Sequence, residues 1–217
     1  MKKKIVLFSL FILPIVAYLF FASGVHSFVK LPILVEEIQE LPEWKDKQGN
    51  TFLLEGKITV LGFPGYHIEA HKGNAFNLNQ KIYNKVKDFQ DFQLILVCPQ
   101  ETQTHVEEIK DELGRISDLT RWHYIYADTS DIKRFYNTLK LENPIGKDYG
   151  TTFVYIIDKN KNLRGRRGKN RKGEHEYKEG YNTISAADLH NEMGDDIKVI
   201  LAEYRLALKK NSADRKK

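Results

Sequence analysis

Short apolar runs alternate with helical patterns from residue 58 onward, and this alternation constrains the fold more than any other feature of the 217-residue chain. The predicted strands are Ile58–Phe63, Phe92–Cys98, Trp122–Ala127 and Thr152–Ile157, with a return strand from Leu163. Strands joined through helices lie parallel after right-handed crossovers, and a closing hairpin adds antiparallel neighbours. The sequence therefore predicts an α/β domain with a mixed central sheet flanked by helices.

Apolar residues at spacings of three and four predict a helix after each of the first three strands and a long helix near the C-terminus. The predicted apolar faces cover residues 78–89, 106–113, 132–139 and 189–208. Two patterns predict where helices begin: Thr104–Glu107 has the form of a capping box, and Ser185–Asp188 places a serine three residues before an acid. Because each helix has one apolar face, we expect all four to pack on the sheet.

The first 29 residues have the pattern of a membrane segment. Lys2–Lys4 precede an uncharged run, Ile5–Ala22, and about 20 apolar residues are enough for a helix to cross the hydrocarbon layer of a bilayer. The basic residues before this run predict a cytoplasmic N-terminus and an extracytoplasmic domain, periplasmic if the source is bacterial. A cleaved signal peptide is the alternative, because it also begins with a short basic stretch.

These features divide the chain into four parts. We expect a cytoplasmic stub and transmembrane anchor over residues 1–29, a linker over 30–41, the folded domain over 42–210 and a basic tail over 211–217. Hydrophobic residues make up 41% of the chain, which is enough to build one core in a domain of this length.

A single cysteine, Cys98, removes whole classes of chemistry. One thiol excludes an intramolecular disulfide, a C-x-x-C or C-x-x-x-C redox pair and a zinc site with two or more cysteines. Cys98 ends an apolar strand just before Pro99, which predicts a small, buried core residue. The alternative is a reactive thiol in an enzyme with one cysteine, which requires exposure and a neighbouring positive charge.

Two segments carry a resemblance to a known family. Pro42–Asn50, with the Gly56-Lys57 pair and the strand that follows, resembles the entry of an extracytoplasmic thioredoxin-like domain. Asp148–Asp158 resembles the later strand of the Sco/SenC family, which are membrane-anchored thioredoxin-like proteins that serve copper-site assembly in cytochrome oxidase. The resemblance implies a thioredoxin-like fold over roughly residues 40–210, and a part in the assembly of respiratory complexes.

The residues that carry this family's chemistry are missing. Its copper ligands are two cysteines in a C-x-x-x-C motif after the first core strand and a histidine before the later strand. Here Pro64–Lys72 contains no cysteine, and Tyr149 stands where the family has histidine. Thiolates select Cu(I), and disulfide exchange needs an attacking thiolate with a partner. We therefore expect a membrane-anchored binding or assembly module, and not an enzyme, that contacts a protein partner at the membrane. We expect it to lack cysteine-based copper and thiol–disulfide chemistry.

His67 and His71 have the same spacing as the two cysteines of that motif. On a helical turn both imidazoles lie on one face and could share a metal ion, with Glu69 as a third ligand. Two histidines suit Cu(II) or Zn(II) better than Cu(I). Copper handling through this pair is thus the alternative function, and a chance spacing of two loop histidines is the simpler interpretation.

A basic segment lies between Lys159 and Lys172, where eight residues are Lys or Arg and none is acidic. The whole chain has a formal net charge of +5, so its excess positive charge is local. We expect an exposed, glycine-rich hairpin that binds anionic lipid or an acidic protein, and no nucleic acid. A merely solvated hairpin tip is the alternative, and neutralising arginines here is expected to leave the fold intact. The candidate binding residues are Arg164, Arg166, Arg167, Lys169, Arg171 and Lys172.

Overall fold

The computed structural model describes residues 8, 10–18, 30–170 and 172–214, with the side chains of the last helix described as far as Arg205. Nine strands occur in this part of the chain: β1 (Ile33–Val35), β2 (Ile58–Pro64), β3 (Phe92–Pro99), β4 (Trp122–Ala127), β5 (Gly150–Ile157), β6 (Leu163–Arg164), β7 (Arg166–Lys169), β8 (His175–Lys178) and β9 (Tyr181–Asn182).

Seven of these strands form one mixed sheet in the order β1-β6-β5-β2-β3-β4, with β9 also paired to β5. β2, β3 and β4 run parallel, whereas β5 is antiparallel to β2 and β6 is antiparallel to β5. β7 and β8 form a separate two-stranded antiparallel sheet. The prediction of a mixed central sheet is confirmed, because the helical crossovers impose parallel neighbours and the late hairpins impose antiparallel ones.

Four helices connect or close the strands. The first, α1, is built from Lys72–Leu78, a π-helical segment Asn79–Tyr83 and Asn84–Val86; α2 is Gln103–Gly114, α3 is Thr129–Thr138, and α4 joins a π-helical segment Asp188–Met193 to Gly194–Asp214. Ser185 accepts a hydrogen bond from the Asp188 amide at 3.1 Å, as its sequence pattern predicts. The capping box predicted at Thr104 is wrong, because α2 begins at Gln103 and its N-cap, Thr102, makes no side-chain capping bond.

The core lies on both faces of the sheet. Every residue of β3 is buried, which confirms the prediction of a central strand covered on both sides. Alternate residues of β3 point to opposite faces: Leu94 and Leu96 pack with α1, α2 and α4, while Ile95 and Val97 pack with α3 and the segment before β2. The sheet is therefore held by helices on one face and by a helix plus an N-terminal segment on the other.

The region before the predicted domain differs from the expected linker. β1 pairs with β6, and Leu31, Ile38 and Leu41 are buried, so residues 31–41 pack as part of the domain. Part of the predicted membrane span, residues 5–22, lies outside the described residues. Residues 215–217 of the predicted tail lie outside them entirely. Within the described part of the chain, no helix combines the length and the apolar character needed to cross a membrane.

Candidate functional site

The two segments that carry the family resemblance meet at one edge of the sheet. The Tyr66 amide donates to the Asp148 carbonyl at 3.0 Å, and Pro64 pairs with Gly150. Gly65 has a positive φ of 69°, and a Cβ on it would lie 2.7 Å from the Gly150 Cα. Two glycines are required here because any larger residue would push the two loops apart.

A pocket of about 180 Å³ opens beside this contact, and we call it the edge pocket. Its apolar floor is formed by Ile68, Leu78, Leu96 and Val154. Gly62 lies among them in β2, and a Cβ there would come within 2.6 Å of the Leu96 side chain. The pocket therefore sits above a position in the sheet that has no side chain of its own, at the carboxyl ends of the parallel strands. Its polar rim includes His71, Asn74, Asp148 and Thr151.

The turn that borders the edge pocket is tied to α2 and to the segment before it. The Tyr66 hydroxyl donates to the Glu101 carboxylate at 3.2 Å, and Lys72 donates to Glu112 at 3.1 Å. The Tyr66 ring also meets the Tyr149 ring edge-on, with centroids 6.1 Å apart. The aromatic contact joins the two loops beside the pocket, and the two bonds to carboxylates connect this region to α2 and to the segment before it.

His67 and His71 both lie exposed on this turn. The His71 amide donates to the His67 carbonyl at 3.2 Å, so the backbone makes the helical turn on which the metal hypothesis depends. Only His71 lines the edge pocket. Metal binding by the pair stays a prediction.

Glu69, the expected third ligand, contacts a different histidine. His105 Nδ1 lies 3.2 Å from Glu69 Oε2, and Glu108 lies 4.0 Å from the same ring nitrogen. Among the described residues, Glu69, His105 and Glu108 lie close enough together to share a metal ion, and all three are exposed. Neither His67 nor His71 belongs to this group. No sequence pattern predicts this cluster, because Glu69 lies in the turn after β2 and His105 lies in α2.

Cys98 is fully buried within the core, which confirms its predicted position. Its thiol lies 3.7 Å from the Leu96 carbonyl, and burial raises the pKa of the thiol far above its ordinary value. A thiol in this setting stays protonated near neutral pH and is shielded from solvent, and thiolate chemistry requires the opposite conditions.

Arg164 does not lie in an exposed loop, and that expectation is wrong. It belongs to β6 and is 4% exposed. Its guanidinium donates to Asp158 at 2.8 Å, to Glu203 at 2.9 Å and, through Nε, to the Leu31 carbonyl at 2.9 Å. Burial alone lowers the pKa of Arg164, but the hydrogen bonds to Asp158 and Glu203 outweigh burial and raise it. Arg164 therefore holds the domain together and is not free to meet a ligand.

Arg166 is also engaged within the domain. It begins β7 and donates to Asp196 at 2.7 Å and to Glu176 at 3.2 Å. Arg167, Lys169 and Lys172 are exposed, so their role in binding stays a prediction. Arg171 lies outside the described residues.

The edge pocket was missed by reasoning from sequence. Leu78, Leu96 and Val154 of its floor lie in predicted helix and strand patterns, which indicate burial without showing where packing is incomplete. Ile68, the fourth floor residue, lies in the turn after β2 and belongs to no such pattern. Gly62, Gly65 and Gly150 are the available signal, since three glycines near the ends of two strands indicate close backbone approach.

Comparisons with known proteins identify the fold. No protein-family model matches the chain, and no curated protein matches it significantly. Among solved structures, a candidate protein disulfide isomerase from Bacteroides thetaiotaomicron superposes with a TM-score of 0.52 at 15% identity, covering 80% of this chain and 95% of that one. BsSco, a member of the Sco family of cytochrome c oxidase assembly proteins, also superposes with a TM-score of 0.52, at 11% identity over 80% of this chain and 98% of its own. At these identities the likeness concerns the fold alone: the chain is a mixed α/β protein with a thioredoxin-like fold.

Proposed function

We propose that this protein is a binding module that uses the edge pocket to hold one apolar side chain from a segment of a partner protein. The observation that carries the proposal is the pocket itself: an apolar floor with a polar rim, at the edge of the sheet where the two segments of the family resemblance meet. Apolar floors supply binding energy, and polar rims orient the bound group.

The size of the pocket favours an anchoring side chain over a cofactor. At about 180 Å³ the cavity is smaller than the roughly 300–1,000 Å³ that is usual for small-molecule sites. One large apolar side chain matches both this volume and the composition of the floor. Side chains that fill such pockets commonly supply most of the affinity of a protein interface.

In this proposal the protein binds its partner without thiol–disulfide chemistry. Pro64–Lys72 contains no cysteine, and the only thiol of the chain, Cys98, lies within the core. A partner held in the edge pocket therefore meets histidine, asparagine and aspartate side chains at the rim. The resemblance to Sco/SenC proteins supports a role in assembling a membrane complex, with the domain held outside the cytoplasm by the N-terminal segment.

Site-specific photocrosslinking tests this proposal. A photoreactive residue at Thr151, on the rim, is introduced into the full-length protein in its native membrane. We expect a discrete crosslinked partner that is lost when Ala75→Phe fills the pocket and retained in the matched control Ala187→Phe. Ala75 lines the pocket, whereas Ala187 is exposed at the residue just before α4. Crosslinking is expected to survive Cys98→Ala. If the crosslink persists in Ala75→Phe, the partner does not bind in the edge pocket and the proposal is refuted. If Cys98→Ala abolishes the crosslink, the proposal that binding needs no thiol is refuted.

Metal handling through His67 and His71 is a second candidate, favoured by the helical turn that places His71 on the rim of the edge pocket. We expect Cu(II) or Zn(II) titrated into the full-length protein to bind with submicromolar affinity, and the variant His67→Ala/His71→Ala to lose that binding. His105→Ala is the control, because it disrupts the neighbouring cluster with Glu69 instead. Binding that depends on His105 and not on the pair contradicts this candidate.

A further inference from the structure

A second opening lies in the groove between α1 and α4, and we call it the helix groove. It shares no lining residue with the edge pocket. It encloses about 450 Å³. Ile82, Val86 and Ile197 are buried at its base, and Phe89 and Leu201 are partly buried beside them. The described lining consists of apolar residues, one glycine and four cationic residues, without a neutral polar side chain or a carboxylate.

The four cations stand on both walls of the helix groove: Lys81 and Lys85 on α1, Lys198 and Arg205 on α4. Lys198 pairs with Asp195 at 2.9 Å. Lys85 Nζ lies 2.9 Å from His190 Nδ1, and the Arg205 guanidinium lies over the Phe89 ring. Apart from Lys198, none of these cations pairs with a carboxylate among the described residues.

Three acidic residues of α4 face another part of the molecule. Asp196 and Glu192 contact Arg166, and Glu203 contacts Arg164. α4 thus largely separates its charges: Glu192, Asp196 and Glu203 face Arg164 and Arg166, whereas Lys198 and Arg205 border the helix groove, where Asp195 is the acid beside Lys198. This separation leaves a positive field over an apolar floor.

We infer that the helix groove binds a long-chain fatty acid anion, with the acyl chain along the floor and the carboxylate among the rim cations. The cavity falls within the volume range of ordinary ligand sites. A ligand whose polar part is a single anion matches a lining that offers cations and no neutral hydrogen-bonding side chain. This inference concerns a different surface and does not rest on the function proposed for the edge pocket.

The geometry favours an acyl chain over an acidic helix from a partner protein. A helix with its side chains is about 10–12 Å across, whereas the axes of two packed helices lie about 8–10 Å apart. The backbone of a third helix cannot enter such a groove, so only its side chains would reach the floor formed by Val86 and Ile197. An extended hydrocarbon chain is narrow enough to reach these residues.

Photolabelling of the full-length protein in phosphatidylcholine nanodiscs tests the inference. The probe is palmitate with a diazirine in its chain, and the adducts are mapped by mass spectrometry. We expect saturable labelling of α1 and α4 at the helix groove. Ala202→Trp, which fills the groove, is expected to abolish this labelling, while Ala187→Trp, at the exposed residue just before α4, leaves it unchanged.

Charge variants separate anion binding from simple partitioning into an apolar surface. For Lys81→Gln/Lys85→Gln we expect the apparent affinity for palmitate to fall about tenfold, as losing two charge contacts implies. The methyl ester of the same probe has no carboxylate. Its labelling of the wild-type protein is therefore expected to be as weak as the labelling of Lys81→Gln/Lys85→Gln by the acid, or weaker. Equal labelling by acid and ester, or adducts outside the groove, overturns the inference. Stronger competition by phosphatidylglycerol or by an acidic amphipathic peptide than by free palmitate overturns the choice of ligand.

Discussion

Arg164 and Arg167 lie three positions apart in the same basic segment, yet they occupy opposite environments. Arg164 is 4% exposed in β6 of the main sheet, and Arg167 is exposed in β7 of the two-stranded sheet. Gly165 stands between the two sheets, and a Cβ there would collide with the Lys178 carbonyl. The chain therefore leaves the main sheet at a residue that only glycine can occupy.

The difference between these arginines comes from their partners. Arg164 meets two carboxylates and the Leu31 carbonyl, so most of its hydrogen-bonding capacity is used. The side chain of Arg167 makes no ion pair with any described residue. A buried cation is tolerated only when its charge is neutralised and its hydrogen-bond donors have acceptors. Whether an arginine of the basic segment is buried therefore depends on its partners, and not on its position in the segment.

Removing Arg164 is expected to give the largest effect of the substitutions that probe this comparison. Arg164→Ala leaves Asp158 and Glu203 buried or nearly so without their cation, and breaking a buried pair in this way costs about 3–5 kcal/mol. Urea unfolding followed by tryptophan fluorescence measures the loss, because Trp44 and Trp122 are both buried. A loss below about 1 kcal/mol, near the effect of an exposed substitution, would show that Arg164 is as dispensable as its neighbour.

Arg166 tests the intermediate case. It is half-buried and shares Asp196 with Tyr181, whose hydroxyl donates to that carboxylate at 2.6 Å. Because Asp196 keeps this hydrogen bond, Arg166→Ala is expected to lower the free energy of unfolding by about 2 kcal/mol, less than Arg164→Ala. Combining Arg166→Ala with Tyr181→Phe should cost more than the sum of the two single changes. An additive result means that the two groups do not share Asp196 energetically.

Glu203 tests whether charge or hydrogen bonding holds Arg164. Glu203 also accepts the Leu31 amide at 3.0 Å, and a glutamine retains an oxygen for that bond. Since Asp158 still neutralises the guanidinium, Glu203→Gln is expected to cost only about 1 kcal/mol. Glu55→Gln, at an exposed position, serves as the control in the same unfolding assay. A cost equal to that of Arg164→Ala would assign the whole stabilisation to the charge of Glu203.

The sequence predicted local features of this molecule better than distant ones. The bounds predicted for the strand Trp122–Ala127 match the structure, because the short apolar run that indicates a buried strand is made of consecutive residues. The pairing of Arg164 with Glu203 spans 39 positions, and no spacing rule connects them. The edge pocket depends on how α1 meets β3 and β5, so its floor residues are indistinguishable from core residues in the sequence.

Arg167 and Lys169 close the series with the smallest expected effect. Both side chains are exposed and make no ion pair with a described residue, so Arg167→Ala/Lys169→Ala should change the free energy of unfolding by no more than about 0.5 kcal/mol. The same urea titration measures it beside Arg164→Ala. A loss above about 1 kcal/mol would mean that β7 depends on these cations and that the two halves of the basic segment are alike. If the stability of this variant is unchanged, a loss of binding to an acidic partner can be assigned to the missing contacts of Arg167 and Lys169. Substitution of Arg164 cannot give this information, because it also destabilises the fold.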